Sequence, residues 1–346
     1  MPDFVPGLRL CRAFHREVVA PLVAEPHAAA LLGPGSEVLG LDTARSTDHD
    51  WAPRCQVFVD EPRVEPVRRL LDQRLPGSYA GWPLAASRDG GPAHHRVEVH
   101  TLGDWAAGEL GWPAAEREPG TLDWLVSPQT RLAGITGGAV FADPDGALGT
   151  LRSRLAWYPD DVWWWLVACQ WRRLAQEEPF VQRTAEVGDD LGSAVVTARL
   201  VRDCLRLALL LGRRYAPYAK WCGSAFAGLP DPEGLGAALT GALGARSGDA
   251  REECLGHAYG ILAGRFNAAA GTDLDTSLRP FHDRPALVLG ADRFVAAARA
   301  KVTDPGLAHL PLVGAVDQLV DSTDVLADPR LAARMRDYYG ALGVRG

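Results

Sequence analysis

Two short motifs near the amino terminus carry residue types that suit chemistry on phosphate groups. Gly35 and Ser36 end an apolar run, and Asp48 and Asp50, with His49 between them, follow after eleven intervening residues. A glycine turn lets backbone N–H groups approach phosphate oxygens closely. In an extended segment alternate side chains share a face, so we expect the two aspartates to point the same way. Because Mg²⁺ prefers carboxylate and phosphate oxygens, the spacing predicts metal-dependent chemistry on a nucleoside triphosphate.

This arrangement resembles the nucleotidyltransferase superfamily, the fold shared by DNA polymerase β and the aminoglycoside and lincosamide nucleotidyltransferases. The resemblance is carried by four residues, Gly35, Ser36, Asp48 and Asp50. It implies a third carboxylate on a later strand of the same sheet, and Glu98 in the alternating stretch 96–100 is available for that position. By this resemblance Asp48, Asp50 and Glu98 hold two Mg²⁺ ions, and Gly35 and Ser36 bind ATP or another nucleoside triphosphate as co-substrate.

The sequence departs from the superfamily pattern at His49, because members usually have an apolar residue between the two aspartates. We therefore expect the back face of that strand to be less buried. Residues 46–51, together with the helical second half, are more similar to a family of nucleotidyltransferase-like bacterial proteins whose C-terminal domain has only an unknown-function label. This similarity extends over most of the chain and identifies relatives without naming a substrate.

An aspartate pair of this spacing has two other interpretations. It occurs in solvated loops, and in sugar-transferring enzymes it holds Mn²⁺ and a nucleotide sugar. The Gly-Ser pair at the family spacing favours the nucleotidyl interpretation over a solvated loop. The sequence before Asp48 is short for the doubly wound nucleotide-binding half that a glycosyltransferase needs. Nucleotidyl transfer is therefore preferred.

Length and composition favour a two-domain enzyme. The 346 residues exceed the usual domain size of about 100–200 residues. A net charge of −7 argues against a protein that grips long nucleic acid through its phosphates. The six dispersed cysteines and the lack of a long apolar stretch predict a reduced, cytoplasmic protein without membrane association. The oligomeric state stays open.

The pattern of elements changes near residue 150. Residues 1–150 predict an α/β (α+β) domain with a short mixed sheet, and residues 151–346 predict an all-α helical bundle. In the first domain we expect helices at 7–23 and 62–75, strands at 56–59 and 96–100, and an edge strand at 139–142. The turn-rich segment 77–92 is typical of an exposed loop that forms a lid or a substrate wall.

A tryptophan cluster marks the first long helix of the second domain, which we expect to run from Asp160 to about residue 178. The cluster comprises Trp163, Trp164, Trp165 and Trp171. Aromatic rings of this kind fill cores and interfaces, so one interpretation places them in the seam between the domains. The other is that one ring stacks on a substrate ring or base.

The helical domain also offers candidates for acid–base chemistry. Related antibiotic-modifying enzymes use a carboxylate from their helical domain to deprotonate the acceptor hydroxyl. By this resemblance Glu186 or Glu178 has the same role, with Glu186 preferred. The alternative is that both acids cap helix ends and face solvent.

Cationic side chains of the second domain are candidates for phosphate binding. Arg199, Arg202 and Arg206 form one stripe on a helix expected at 190–214, which either faces a nucleotide or is ordinary helix surface. Lys220 is the preferred phosphate contact from this domain. The alternative is that Tyr215 and Tyr218 pack the loop, while Lys220 only extends its charged end into water.

Together these features predict transfer of a nucleoside monophosphate, foremost AMP from ATP, to a hydroxyl of a small-molecule acceptor, with release of pyrophosphate. The alternatives are transfer to a protein or an RNA end, and a non-catalytic sensor that only binds nucleotide. Neither the acceptor nor the base preference follows from the sequence.

Overall fold

The structure, a computed structural model, describes residues 2–48, 51–86 and 94–344. It is mixed α/β, with a small mixed sheet in the N-terminal part and a helical C-terminal part. Contacts between Cα atoms group the chain into two units, each described by itself below. Unit 1 comprises Met1–Asp123, Ser127–Ala156 and Asp324–Ala333, and unit 2 comprises Trp124–Val126, Trp157–Thr323 and Arg334–Gly346. The domain limits expected from the sequence, 1–150 and 151–346, stay a prediction.

The strands of unit 1 are short, and four of them form its main sheet. Their bounds are β1 Ala28–Leu31, β2 Cys55–Phe58, β3 Ser78–Tyr79, β4 Trp82–Pro83, β5 Ala85–Ala86, β6 His94–His95, β7 Val97–His100 and β8 Ala139–Ala142. The sheet has the order β7-β2-β1-β8, so β8 is an edge strand as predicted. β1 is antiparallel to both β2 and β8, whereas β2 and β7 are parallel.

The helices of unit 1 cover this sheet. Their bounds are α1 Gly7–Phe14, α2 Ala20–Val23, α3 Glu61–Arg74, α4 Leu102–Leu110, α5 Thr121–Val126, of which the last three residues belong to unit 2, α6 Gln129–Thr136 and α7 Ala147–Arg154. A π-helix at His15–Val19 joins α1 to α2, which confirms one continuous helical segment over 7–23. The helix predicted at 62–75 is confirmed as α3.

Alternation along β2 and β7 creates two sheet faces with different character. Cys55 and Val57 of β2 share a core cluster with Val97 and Val99 of β7 and with the buried side of α3. The residues between them point to the opposite face, because successive side chains alternate across a strand. That opposite face carries Gln56 and is the one that matters for the candidate site.

Within the described residues 77–86, the segment is not the loop expected from the sequence. β3 pairs with β4, and β5 pairs with β6, in two short antiparallel ladders. The aromatic Trp82 is buried within the first ladder, which explains why a turn-rich sequence becomes ordered there. Residues 87–93 lie outside the described part of the chain.

Unit 2 consists mainly of helices. Their bounds are α8 Asp160–Glu177, α9 Phe180–Glu186, α10 Asp190–Leu211, α11 Cys222–Ala227, α12 Leu235–Gly244, α13 Gly248–Ala270, α14 Asp292–Arg299, α15 Pro305–His309, α16 Val316–Leu319 and α19 Met335–Ala341. Two further helices, α17 Thr323–Ala327 and α18 Pro329–Ala333, belong to unit 1 apart from Thr323. A short ladder of β9 Arg279–Pro280 with β10 Leu287–Val288 completes unit 2.

The tryptophan cluster lies in the core of unit 2. Trp165 and Trp171 are fully buried, and Trp171 stacks on Phe294 with ring centroids 4.8 Å apart. Trp163 donates its indole N–H to the carbonyl of Leu210 at 2.8 Å. These contacts use the rings for packing between helices of one unit, as aromatic cores commonly do.

All six cysteines are free thiols, and Cys11, Cys55, Cys169 and Cys204 are buried. None of the described helices is both long and apolar enough to cross a lipid bilayer.

Candidate functional site

The turn at residues 33–36 follows β1 directly and needs glycine for two reasons. Gly33 and Gly35 have φ angles of +82° and +145°, which L-residues with side chains rarely adopt. In addition, a Cβ atom on Gly35 would lie 2.7 Å from both carboxylate oxygens of Glu37 and 2.8 Å from Nη2 of Arg54. The turn predicted from the sequence is confirmed, and an ion pair packs directly against it.

Arg54 binds the carbonyl side of this turn. Its Nη2 donates to the carbonyl oxygen of Pro34 at 2.6 Å, and its Nε donates to Oε1 of Glu37 at 2.8 Å. Both side chains are largely removed from water, with 12% of Arg54 and 7% of Glu37 exposed. Charge-assisted bonds of this kind fix geometry more firmly than neutral ones.

The N–H groups of the turn, unlike its Pro34 carbonyl, do not bond to Arg54. The N–H of Gly33 donates to the carbonyl of Gly134 at 3.0 Å. In the part of the chain that the structure describes, the N–H groups of Gly35 and Ser36 have no acceptor. Consecutive amides that are free and partly exposed form a concavity that suits an anion.

Gln56 connects the turn to Glu98. The parallel register of β2 and β7 pairs Gln56 with Glu98, and paired residues share a sheet face. Oε1 of the buried Gln56 accepts the N–H of Leu32 at 3.0 Å, while its Nε2 lies 3.4 Å from Oε2 of Glu98. The predicted third carboxylate and the glycine turn are thus neighbours of one side chain.

The environment of Glu98 favours its charged form. Its side chain is 55% exposed, and Nε2 of His100 lies 3.8 Å from its Oε2. The nearby imidazole of His100, and to a smaller degree the amide of Gln56, lower the pKa of Glu98 against the opposing effect of burial. An ionised, half-exposed carboxylate has the oxygen chemistry that Mg²⁺ prefers.

As far as Asp48, the segment that leads into the aspartate pair is a 3₁₀ helix and not the strand expected from the sequence. Asp48 is the last residue of a 3₁₀ helix, Ala44–Asp48, and β2 begins only at Cys55. The hydroxyls of Ser46 and Thr47 bond to backbone groups of Thr43 and Ala44, a local alternative to strand pairing. The side chain of Asp48, and all of His49 and Asp50, lie outside what the structure describes.

Contacts with α1 hold both flanks of this segment. Oδ2 of Asp42 accepts the N–H of Gly7 at 2.6 Å and the indole N–H of Trp51 at 3.3 Å. On the other flank, the N–H of Arg54 donates to Sγ of Cys11 at 3.3 Å. The aspartate pair therefore lies on a segment that is fixed at each end within unit 1. Among the described residues there is no group of three acidic, histidine or cysteine side chains that could hold a metal ion.

One comparison with known families gives a match. Residues 124–222 match the model of a domain of unknown function, DUF4037. No curated protein and no solved structure matches the chain. The DUF4037 match covers the predicted residues of the helical part and leaves out the 33–36 turn, the aspartate pair and Glu98.

Within the DUF4037 match, the two candidate bases differ in their surroundings. The carboxylate of Glu178 is buried and accepts three backbone N–H groups, from Leu289 at 2.7 Å, Gly290 at 3.2 Å and Ala291 at 3.0 Å. Burial nevertheless raises the pKa of Glu178. Glu186 is 40% exposed and forms an ion pair of 3.2 Å with Arg284. Glu178 therefore has a clear structural role, and Glu186 keeps an accessible carboxylate.

The cationic candidates of the DUF4037 match have partners within unit 2. The stripe on α10 is engaged residue by residue: Arg199 with Glu177, Arg202 with Asp321, and Arg206 with the carbonyl of Asp317. Nζ of Lys220 lies 5.0 Å from the ring centre of Trp221. That contact leaves its charge exposed to solvent.

Sequence reasoning missed Arg54, Gln56 and Glu37. Gln56 had a visible signal, because it is the one polar residue in the apolar stretch 55–59. A buried polar side chain must find hydrogen-bond partners, so its position in a core strand marks a network. Arg54 and Glu37 carry no such signal, since their pairing depends on how the loop folds back against β2.

Proposed function

We propose that the protein is a Mg²⁺-dependent nucleotidyltransferase that transfers a nucleoside monophosphate, foremost AMP from ATP, to a hydroxyl of a small acceptor. The observation that carries this proposal is the Gln56 side chain, which bonds both to the backbone of Leu32, the residue just before the 33–36 turn, and to Glu98. A phosphate-binding turn and a metal-binding carboxylate need to be close together for such chemistry. The amides of Gly35 and Ser36, which have no acceptor among the described residues, and the ionised state of Glu98 support it further.

In this proposal the 33–36 turn binds the β- and γ-phosphates through its amides. Asp48, Asp50 and Glu98 hold Mg²⁺, since their carboxylate oxygens fit a hard cation. When bound, Mg²⁺ neutralises phosphate charge and stabilises the attacking and leaving oxygens.

Glu186 takes the proton of the acceptor hydroxyl. The acceptor oxygen then attacks the α-phosphorus, the bond to the β-phosphate oxygen breaks, and pyrophosphate leaves with that electron pair. We prefer Glu186 to Glu178 because the latter is occupied by three amides. Lys220, exposed in unit 2, adds a phosphate contact.

The first experiment measures thermal stability with ATP, GTP, CTP and UTP, each with and without Mg²⁺. A ligand at about a hundred times its Kd stabilises by about 2.7 kcal/mol, which such an assay detects. We expect a Mg²⁺-dependent shift with one nucleotide, and its loss in Asp48→Asn, Asp50→Asn and Glu98→Gln. Asp145→Asn, a change in an exposed turn of unit 1, is the control and keeps the shift.

A second experiment follows the nucleotide itself, with α-phosphate-labelled triphosphate and a panel of hydroxylated acceptors. Label in a soluble product together with pyrophosphate supports the proposal. Label in protein or RNA instead identifies a macromolecular acceptor. Tight binding without pyrophosphate release identifies a nucleotide sensor. Full activity in Asp48→Asn would contradict the metal assignment.

A further inference from the structure

We infer that Arg54 is a positioning residue that sets the direction of the turn amides for phosphate binding. The inference rests on the proposed function. It adds a residue that is neither part of the aspartate motif nor one of the carboxylates proposed to bind metal. Arg54 acts on the turn backbone from the side opposite to the amides.

The geometry of the peptide unit gives this role its physical basis. In a trans peptide the C=O and N–H groups point in opposite directions, and the described chain contains no cis peptide. The bond from Arg54 to the Pro34 carbonyl therefore turns the Gly35 N–H away from the guanidinium. The peptide two positions back, between Leu32 and Gly33, repeats the pattern: the Leu32 carbonyl lies 3.5 Å from Nη1 of Arg54, while the Gly33 N–H donates to Gly134 on the other side.

Three contacts hold the guanidinium itself in place. Glu37 binds its Nε, and the Cα of Gly35 packs against the ion pair so closely that no side chain fits there. The backbone of Arg54 is tied to α1 through Cys11. With 12% of the side chain exposed, the guanidinium is held inside unit 1 as part of the turn's support.

This arrangement requires the planar fork of arginine. Nε and Nη2 donate in two directions at once, to a carboxylate and to a carbonyl, whereas a lysine ammonium is a single point charge on a flexible stem. We therefore expect Arg54→Lys to keep the charge near Glu37 and to lose the control of the Pro34 carbonyl.

The test compares Arg54→Gln and Arg54→Lys with a matched control, Arg63→Gln. Arg63 also bonds one carbonyl, that of Pro26, and one glutamate, Glu25, but away from the turn. Far-UV circular dichroism and a cooperative thermal transition first establish that each variant folds.

Hydrogen exchange without ligand then tests the positioning itself. The reporters are the bonded amides of Leu32, Gly33 and Leu41, which donate to Gln56, Gly134 and Ser36. We expect these amides to exchange about tenfold faster or more in Arg54→Gln, since a charge-assisted bond contributes that much. Arg63→Gln leaves them unchanged. Unchanged exchange in Arg54→Gln overturns the inference, whatever the protein's activity.

Binding of inorganic tripolyphosphate and of ATP, each with Mg²⁺, links the turn to phosphate. We expect both to bind about tenfold or more weakly to Arg54→Gln, with partial recovery in Arg54→Lys and a matching rise in KM for the triphosphate. Faster exchange with unchanged tripolyphosphate binding would overturn the link to phosphate. If the wild type binds neither compound, the proposed function fails and phosphate positioning fails with it, while the exchange data still decide whether Arg54 orders the turn.

Discussion

The charge state of Glu98 depends on one neighbour that sequence spacing alone indicates. His100 is two residues further along β7, hence on the same face, and its Nε2 lies near the carboxylate. The pKa of Glu98 is lowered first by this contact. If metal binding needs the ionised carboxylate, His100 extends to lower pH the range in which Glu98 can bind a metal ion.

This dependence predicts a shift in the pH profile of activity. Under the proposed function, activity falls as pH drops through the pKa of Glu98, because protonation removes the proposed metal ligand. Replacing His100 by Asn raises that pKa, so the acid limb of kcat/KM moves to higher pH. His95→Asn is the control, since His95 pairs with Asp72 at 2.8 Å instead. Superimposable acid limbs for wild type and His100→Asn would refute the proposed coupling.

A second histidine affects stability. His15 is buried, and its Nε2 lies 3.1 Å from Nε2 of His27. Burial, with a smaller contribution from His27, lowers the pKa of His15 to about 4. Between pH 6.5 and 4, His15 is protonated in the unfolded chain and neutral in the folded protein. The free energy of unfolding therefore falls as pH falls through this range.

We expect His15 to contribute up to about 3 kcal/mol to this loss, at about 1.4 kcal/mol per unit of pKa shift. Urea unfolding at pH 7 and pH 4.5 measures it. His15→Gln, which does not titrate, loses less stability than wild type between the two values. His309→Gln, at an exposed site, behaves as wild type. Equal losses in all three proteins would show that His15 is not the titrating group.

Two glycines in and near the 33–36 turn allow backbone strain to be distinguished from steric overlap when glycine is replaced. Gly35 has a positive φ and also touches the Glu37–Arg54 ion pair, whereas Gly40 has φ +68° and nothing within 4 Å of its missing Cβ. Gly40→Ala therefore pays only for backbone strain, about 1 kcal/mol. We expect Gly35→Ala to cost at least about 1 kcal/mol more in denaturant unfolding, since its Cβ displaces the ion pair. Equal costs would mean that the ion pair moves aside freely.

The end of α8 and the segment before α14 are joined by Glu178. Replacing it by Ala leaves three N–H groups, two of them buried, without an acceptor, which we expect to cost about 3 kcal/mol or more. Glu186→Gln breaks only an exposed ion pair and costs less than about 1 kcal/mol. Under the proposed function, Glu186→Gln loses turnover while it keeps stability. Stable and inactive Glu178→Ala would reverse the two assignments.

The elements that sequence patterns predicted are those with local causes. The helical segment 7–23 and the long helix from Asp160 follow from apolar periodicity and from acids in the first turn, and both are confirmed. The strand expected around Asp48 was wrong, because nearby hydroxyls bond to the local backbone. Glu98 was named through the family resemblance, and its role as a metal ligand stays a prediction. Gln56 stood out as a lone polar residue in an apolar stretch, but its partners Leu32 and Glu98 could not be predicted. Arg54 gave no signal, since its partners at 32–37 are distant in sequence and meet it only when β2 pairs with β1.

At the scale of the whole molecule, unit 1 is not continuous along the chain. The segment Asp324–Ala333 belongs to it although Trp157–Thr323 lies between in sequence. The guanidinium of Arg131 donates to the carbonyl of Ala327, and a Cβ on Gly111 would lie 2.7 Å from the carbonyl oxygen of Pro329. These close backbone contacts make the late segment an integral part of unit 1.

We expect a charge placed in that segment to weaken unit 1 at a distance in sequence. Ala332 is fully buried, whereas the adjacent Leu331 is 48% exposed. Ala332→Arg should destabilise by about 3 kcal/mol or more through an unpaired buried charge, while Leu331→Arg stays within about 0.5 kcal/mol of wild type. Hydrogen exchange of α4 and α6 amides in the two full-length variants measures the effect. Unchanged exchange in Ala332→Arg would show that α4 and α6 do not need the segment.

The discontinuity also matters for biosynthesis. A ribosome that has finished residue 156 must translate the whole of Trp157–Thr323 before the missing piece of unit 1 emerges. At about 5–20 residues per second, that interval lasts roughly ten to thirty seconds. During that time the surface of the nascent chain around Gly111, at the end of α4, lacks its contacts with Pro329 and Ala333, and chaperones can bind there. Completion of the part that carries the 33–36 turn is thereby postponed until Asp324–Ala333 has been made.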